Sequence, residues 1–248
     1  MKNTMILLLI LLLASLPVCA LAEAGNIPHT GGDYDYILLE DGTAEITRYR
    51  GRAESLEIPQ ELDGYPVTSI GYQAFFYNSS LAEVMIPEGV TSIGNNAFPF
   101  CSRLEKVVLP ESLLSIGESA FSYCTALQGI EIPDGVTSIG DCAFSFCSAL
   151  TAVTLPESVT VIGSAAFSNC VALPSIVIPG GVSIIDVNTF NNCEKLSSVY
   201  IPASVTAIEF RAFRGCSSLD EISVERGSFA EEWCRKEGYV CRYGDKES

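Results

Sequence analysis

The sequence predicts a repeat solenoid built from short parallel β-strands and turns. Three kinds of residue recur every 23 positions. Ile-Pro or Leu-Pro pairs run at this spacing from Ile86-Pro87 to Ile201-Pro202, a phenylalanine recurs from Phe75 to Phe213, and a leucine from Leu81 to Leu219. Such a period is typical of coils that cannot bury their apolar side alone and therefore stack on one another.

Each unit has the same internal order, which assigns a structure to each segment. Alternation in Val84-Met85-Ile86 predicts a short strand with one face inward. The proline that follows lacks the N–H that a strand ladder needs, so the strand ends there. Val90 and Ile93 form a second apolar corner, while Phe98 and Cys101 fill the core on the return side.

One spacing is irregular. Ile58-Pro59 comes 28 residues before the proline of the next pair, Pro87. The excess of five residues is assigned to an insertion around Asp63–Pro66, because Ile70 and Ile93 are again 23 residues apart.

The unit L-x-x-V-x-I-P-x-x-V-T-x-I-G-x-x-A-F-x-x-C resembles the BspA-like subclass of leucine-rich repeats over about residues 56 to 224. The resemblance implies a right-handed leucine-rich-repeat coil, mainly short parallel β-strands with turns or short helical turns. Asn78 replaces the cysteine in the first unit, and Thr189 replaces an alanine. Asp186 and Glu209 replace the glycine, so that position is predicted to favour a small residue rather than to require a positive φ.

The ends of such a rod need caps, because open coils would expose the core and strand edges. Residues 33–55 are predicted to form an N-terminal β-hairpin cap that turns at Asp41-Gly42, and residues 23–32 a flexible leader. The solenoid is assigned to 56–224. Residues 225–248 are predicted as a C-terminal cap of a helix plus a strand, with Ser228 as N-cap and Gly238 as helix stop.

Residues 1–22 are predicted to be a secretory signal peptide that is cleaved after Ala22. Lys2 precedes the apolar run Met5–Leu13, which is shorter than the ~20 residues that a membrane span needs. Cys19 offers a lipoprotein alternative, but Val18 before it is larger than a lipid-acceptor site favours. We therefore expect a secreted or cell-surface protein with no membrane span after cleavage.

Charge and residue types exclude several function classes. The chain has 30 acidic and 14 basic residues and a net charge of −16, which argues against binding nucleic acid or an anionic membrane. Its single histidine, His29, lies near the start of the mature chain, so no serine–histidine pair can be built. No pair of carboxylates is marked out as a glycosidase site. The prediction is a protein that is not an enzyme, with no catalytic residue, no metal and no cofactor.

Six cysteines share one repeat position and are predicted to form a structural cysteine column of buried free thiols: Cys101, Cys124, Cys147, Cys170, Cys193 and Cys216. Their parallel Cβ vectors disfavour bridging between adjacent coils. Cys142 is additional and lies in a predicted turn. Cys234 and Cys241 flank the junction of the cap helix and the final strand, where two alternatives stand: a disulfide, or two half-buried thiols.

The outward position of each strand is the candidate partner-binding face: Met85, Val108, Glu131, Thr154, Val177 and Tyr200. Four of these six residues are apolar or aromatic, which favours a contact surface, although such residues also favour strands for their own sake. The resemblance implies adhesion or another protein–protein interaction, with a host extracellular-matrix protein or another cell-surface protein as partner. The alternative is a structural or scaffolding repeat protein with no specific ligand.

Overall fold

The structure is a computed structural model that describes residues 27–244. The chain forms a β-solenoid of about nine turns with mostly parallel strands and a helix near the C-terminus. The predicted leucine-rich-repeat solenoid is thereby confirmed. The predicted signal peptide, including Cys19, lies outside the described residues.

The elements follow the repeat. The first strands are β1 (His29–Gly31), β2 (Tyr34–Leu38), β3 (Ala44–Tyr49), β4 (Ser55–Glu57), β5 (Glu61–Leu62) and β6 (Tyr65–Ile70). Successive coils then contribute β7 (Glu83–Met85), β8 (Ser92–Ile93), β9 (Lys106–Val108), β10 (Ser115–Ile116), β11 (Gly129–Glu131), β12 (Ser138–Ile139), β13 (Ala152–Thr154), β14 (Val161–Ile162), β15 (Ser175–Val177), β16 (Ile184–Ile185), β17 (Ser198–Ile201) and β18 (Ala207–Ile208). The last elements are β19 (Glu221–Val224), helix α1 (Phe229–Glu237) and β20 (Val240–Tyr243).

Each coil has three sides. The strand face contains β4, β7, β9, β11 and β13 in one parallel sheet, and β15, β17, β19 and β20 in another. The second strand face contains β6, β8, β10, β12 and β14, followed by the separate pair β16 and β18. The turn face holds the A-F-x-x-C segments, of which residues 97–101 are one example.

The core runs along the rod as a column of stacked phenylalanine rings. From Phe75 to Phe213, successive ring centroids lie 4.5 to 5.7 Å apart and the planes are nearly parallel. This spacing is close to the ~4.8 Å separation of hydrogen-bonded strands, since each ring belongs to one coil. Tyr49 continues the column at one end and Trp233 at the other, so both caps close the core with an aromatic ring.

The six repeat cysteines lie beside this column as buried free thiols. Each thiol donates to the carbonyl of the phenylalanine 26 residues earlier, as Cys147 Sγ does to Phe121 O at 3.2 Å. The cysteine column therefore links adjacent coils by hydrogen bonds. Burial raises the pKa of the Cys147 thiol to about 12, so it stays protonated and remains a donor.

The N-terminal cap begins earlier than its predicted start at residue 33. His29–Gly31, expected within the flexible leader, form β1 antiparallel to β2. The His29 ring stacks on Tyr36 at 5.2 Å, a contact that no periodicity in the leader indicates.

The five-residue insertion is a β5–β6 hairpin that turns at Asp63 and Gly64, both with positive φ. Tyr36 donates to Asp63 at 2.8 Å and ties the insertion to the cap.

The C-terminal cap consists of α1 and β20. Ser228 accepts a hydrogen bond from Glu231 N at the start of α1, and Gly238 ends the helix in the left-handed region at φ 89°. β20 then pairs in parallel with β19 and covers that edge of the last coil.

Both strand faces are interrupted at the same step of the rod. Throughout residues 27–244, β13 makes no strand pairing with β15, and β14 makes none with β16. On the strand face the interruption coincides with Pro174, which has no N–H to give. One coil earlier, Thr151 N donates to Gln128 O at 2.8 Å, and one coil later Ser197 N donates to Pro174 O at 2.9 Å.

On the second strand face the interruption coincides with Asp186. The same repeat position one coil earlier is Gly163, where an added Cβ would lie 2.5 Å from Asp141 N. A side chain at this position thus requires a local shift of the backbone, although Glu209, one coil after Asp186, keeps the β16–β18 pairing and donates from its N–H to Ile185 O at 2.8 Å. The turn face stays connected through this step, because Phe167 N donates to Thr189 O at 2.9 Å.

Candidate interaction surface

The strand face brings the predicted partner-binding residues into one exposed column, with one per coil. Register pairs Met85 with Val108, Glu131 with Thr154, and Val177 with Tyr200. Met85 is 47% exposed, Val108 37% and Val177 42%, which are high values for apolar side chains. The interruption between β13 and β15 divides the column into two parts.

Tyr200 differs from the other members of the column. It is half-buried, and its hydroxyl donates to Glu225 Oε1 at 3.1 Å. The same carboxylate oxygen accepts from Ala203 N at 3.1 Å. Replacing Tyr200 would therefore remove an intramolecular bond as well as an exposed ring, so Met85, Val108 and Val177 are the better positions at which to test binding.

Two shallow grooves lie on the N-terminal part of the strand face. One, of about 430 Å³, is lined by Met85, Val108 and the prolines that end their strands. The other, of about 600 Å³, is lined by Val108, Glu131 and Thr154. Val108 and Leu109 line both, so the two grooves adjoin each other across neighbouring coils.

An acidic column runs along this face at the residue after each strand-ending proline, and its first three members line the grooves: Glu88, Glu111, Asp134 and Glu157. All four are exposed. Glu88 accepts hydrogen bonds from Glu111 N at 3.1 Å and Ser112 N at 3.4 Å, so a neighbouring coil fixes its carboxylate at the groove edge. The strand face thus combines exposed apolar side chains with a negative border, which complements a partner that carries apolar and basic side chains.

Cys234 and Cys241 are free thiols in the structure. Cys234 is buried in α1, and Cys241 is half-buried on β20, where it is paired with Ile222 of the last coil. Burial, the nearby charge of Cys241 and a hydrogen bond to it raise the pKa of Cys234 to about 12. The disulfide between them stays a prediction.

Sequence reasoning missed one set of surface residues. Tyr77, Phe100, Tyr123 and Phe146 are exposed on the turn face, all with positive φ. A signal was present, because these aromatic residues are 23 positions apart in the second variable position of A-F-x-x-C.

Within residues 27–244, no three His, Cys, Asp or Glu side chains are grouped to hold a metal ion, and α1, with nine residues, is too short to cross a membrane.

A rod of stacked coils with an exposed strand sheet defines a leucine-rich-repeat protein, a class that typically consists of binding or scaffold modules without catalysis. The model of the BspA type leucine rich repeat region matches residues 49–170 and 115–231, in six copies. The chain belongs to this family. No curated protein matches it.

Solved structures of several bacterial proteins share the fold. A leucine-rich repeat protein of T. pallidum is 31% identical, with a TM-score of 0.74, over 88% of this chain and 99% of that one. A leucine-rich repeat protein of Bacteroides ovatus is 29% identical, with a TM-score of 0.54, over 86% of this chain and 67% of that one. The pneumococcal vaccine antigen PcpA, 21% identical with a TM-score of 0.56 over 81% of this chain and 50% of that one, has a similar fold.

Proposed function

We propose that the chain is a secreted or surface-associated adhesion module that binds a protein partner through the strand face. The observation that supports this function best is the exposed pair Met85 and Val108 in two adjoining grooves with an acidic border. Large apolar side chains that a monomer leaves exposed in one continuous strip are typical of interaction sites. A host extracellular-matrix protein with basic surface segments is the partner class that this charge pattern favours.

Secretion depends on the leader sequence. Cleavage after Ala22 would leave a mature protein that begins at Glu23. Mass spectrometry of the protein exported from a bacterial host tests this directly. A mass corresponding to residues 23–248 is the expected result, a lipid-modified Cys19 would indicate the lipoprotein alternative, and retention of the leader would contradict export by this route.

Binding through the strand face is tested by the double substitution Met85→Ser and Val108→Ser. Both side chains point away from the core, so thermal unfolding should be nearly unchanged. Affinity for a panel of purified extracellular-matrix proteins should fall at least tenfold, about 1.4 kcal/mol, because these two residues line the grooves. Surface plasmon resonance at two salt concentrations measures both the affinity and its electrostatic part, which should weaken as salt rises.

The matched control is Val161→Ser with Ile184→Ser on the second strand face. These residues are 55% and 46% exposed, so the control removes similar apolar area from another side of the rod. Its binding should equal that of the unaltered protein. Equal losses in both variants would assign the effect to general apolar contact, and no binding by the unaltered protein would favour the scaffolding alternative.

A further inference from the structure

A groove at the N-terminal end of the turn face differs in charge from the grooves of the strand face. It has a volume of about 410 Å³ and lies between residues 49–52, at the end of β3, and residues 76–80 of the first coil. Arg50 and Arg52 line this N-terminal groove, and in the described part of the chain no carboxylate does. Carboxylates line both grooves of the strand face. In a chain with a net charge of −16, the N-terminal groove is therefore a concave site that suits an anion.

Arg52 is the cation that is free to bind a ligand. It is exposed, and its guanidinium has no carboxylate partner within residues 27–244, whereas four other arginines each lie against a carboxylate. Arg50 is held in place, because its Nε lies 3.5 Å from Asp35 Oδ1 and it donates to Gly32 O at 2.9 Å. The N-terminal groove thus combines one guanidinium that the cap fixes with one whose donors are open.

Neutral hydrogen-bonding groups complete the polar part of the lining. Asn78 takes the repeat position that cysteine has in the later coils, and its Oδ1 accepts from Ser80 N and Leu81 N, each at 3.2 Å. Its Nδ2 makes no hydrogen bond within residues 27–244 and remains a donor. Ser79 and Ser80 also line the groove, and a serine hydroxyl both donates and accepts. A ligand that carries hydroxyl groups beside its negative charge would find a partner for each.

Two exposed rings form the apolar wall. Phe76 is 49% exposed and Tyr77 65%, and both line the groove with their centroids 6.2 Å apart. The floor is Tyr49, whose ring packs on Phe75 of the core column at 5.2 Å. Gly51 lets that ring lie against the backbone, since an added Cβ there would be 2.3 Å from Tyr49 Oη. The wall and floor therefore offer aromatic surface to a flat ligand ring.

We propose that the N-terminal groove binds an acidic saccharide, a sugar ring that carries a carboxylate. Arg52 would receive the carboxylate through its planar fork of N–H donors. The neutral groups would bind the ring hydroxyls, and Phe76 and Tyr77 would cover the C–H face of the ring. The volume falls in the range of small-ligand sites, about 300 to about 1,000 Å³. This site is separate from the strand face, so it would act independently of the protein partner.

An acidic peptide is the competing anion. Extended peptides add to a free strand edge or place their side chains in apolar pockets. Apart from Tyr49, the lining residues belong to no strand in the described chain, and β3, which ends at Tyr49, already lies between β2 and β6. The groove thus offers a peptide no main-chain edge. Its amide and hydroxyl groups match the hydroxyls of a sugar, which favours the saccharide.

The test is a titration of ¹⁵N-labelled protein followed by amide chemical shifts. The probes are a trisaccharide of galacturonic acid and sialyllactose, with a neutral galactose trisaccharide and tri-aspartate for comparison. An acidic saccharide should shift the amides of Gly51, Arg52 and Ser79 with a dissociation constant of about 0.1 to about 10 mM. The stronger of the two acidic probes identifies the sugar acid that fits. The neutral trisaccharide should bind at least about tenfold more weakly, because it leaves Arg52 without a charged partner.

Two variants test the residues themselves. Arg52→Gln should raise the dissociation constant by about tenfold or more, while its thermal unfolding matches that of the unaltered protein. Tyr77→Asn should also weaken binding, and it suits the positive φ that Asn169 adopts at the same repeat position. The matched control is Arg214→Gln, which removes the same charge from an exposed arginine at the other end of the rod and should bind normally.

Four results would overturn the proposal. They are an unchanged affinity in Arg52→Gln, equal binding of the neutral and acidic trisaccharides, no amide shift with either acidic saccharide up to about 20 mM, and shifts with tri-aspartate alone, which would assign the groove to acidic peptides. The strand-face variant Met85→Ser with Val108→Ser separates this proposal from the proposed function, since it should lose the protein partner and keep the saccharide.

Discussion

Replacing Phe121 by alanine is expected to lower the free energy of unfolding by about 3 to 5 kcal/mol. Phe121 is fully buried, and its ring stacks on Phe98 at 5.2 Å and on Phe144 at 5.5 Å. Its removal leaves a cavity in the middle of the core column, which the flanking coils cannot close because hydrogen bonds on three sides fix their separation. Urea denaturation followed by circular dichroism measures the change.

The control for this substitution lies two residues along the same coil. Tyr123→Asn removes an aromatic ring of similar size from the exposed turn face and suits its positive φ. We expect a change below about 1 kcal/mol there, because the lost ring stacking and the relieved backbone strain oppose each other. Similar losses from both substitutions would mean that the buried column does not dominate the stability of the rod.

Gly140→Asp should be at least as damaging, with a loss of about 3 kcal/mol or more. An added Cβ at Gly140 would lie 2.6 Å from both Glu118 N and the carbonyl carbon of Gly117, so the backbone must shift where the two coils meet. Amide hydrogen exchange should locate the damage, since Gly140 N donates to Ile116 O at 2.9 Å and Thr137 N to Leu114 O at 3.0 Å. Both amides should exchange faster than in the unaltered protein.

Two comparisons show whether the effect comes from the closeness of the coils. Gly129→Ala places a Cβ 3.5 Å from its nearest neighbour, Ala152 O, which is ordinary contact, and it should leave stability nearly unchanged. Asp186→Gly makes the opposite change at the natural interruption, and we expect it not to destabilise the chain. A tolerated Gly140→Asp would contradict the close approach of coils on the second strand face.

The interruption at Asp186 also divides the molecule. The last exposed ring of the turn-face series, Phe146, lies one coil before this interruption, and Asn169 takes its position in the coil of β13 and β14. The grooves and the exposed turn-face rings both belong to the N-terminal part, and the C-terminal part has different residues at the corresponding positions.

Sequence alone determined the repeat and everything that follows from position within one repeat. The 23-residue period places Phe121 and Cys147 inward and Met85 and Val108 outward. Strand alternation and the stacking of coils together fix whether the side chain at each repeat position points into the core or towards solvent. The acidic replacements Asp186 and Glu209 even indicated a position that favours a small residue rather than one that requires a positive φ. None of the glycines at this position from Gly94 to Gly163 has a positive φ, in line with that inference.

Only the tertiary structure decided how adjacent coils meet. The thiol-to-carbonyl bonds such as Cys147 to Phe121, the left-handed backbone beneath Tyr123, and the loss of pairing at Pro174 and Asp186 all depend on the distance between residues of neighbouring coils. A repeat pattern gives the direction of a side chain within its own coil. It does not give the separation of two coils, because packing and hydrogen bonding across the whole stack set that distance.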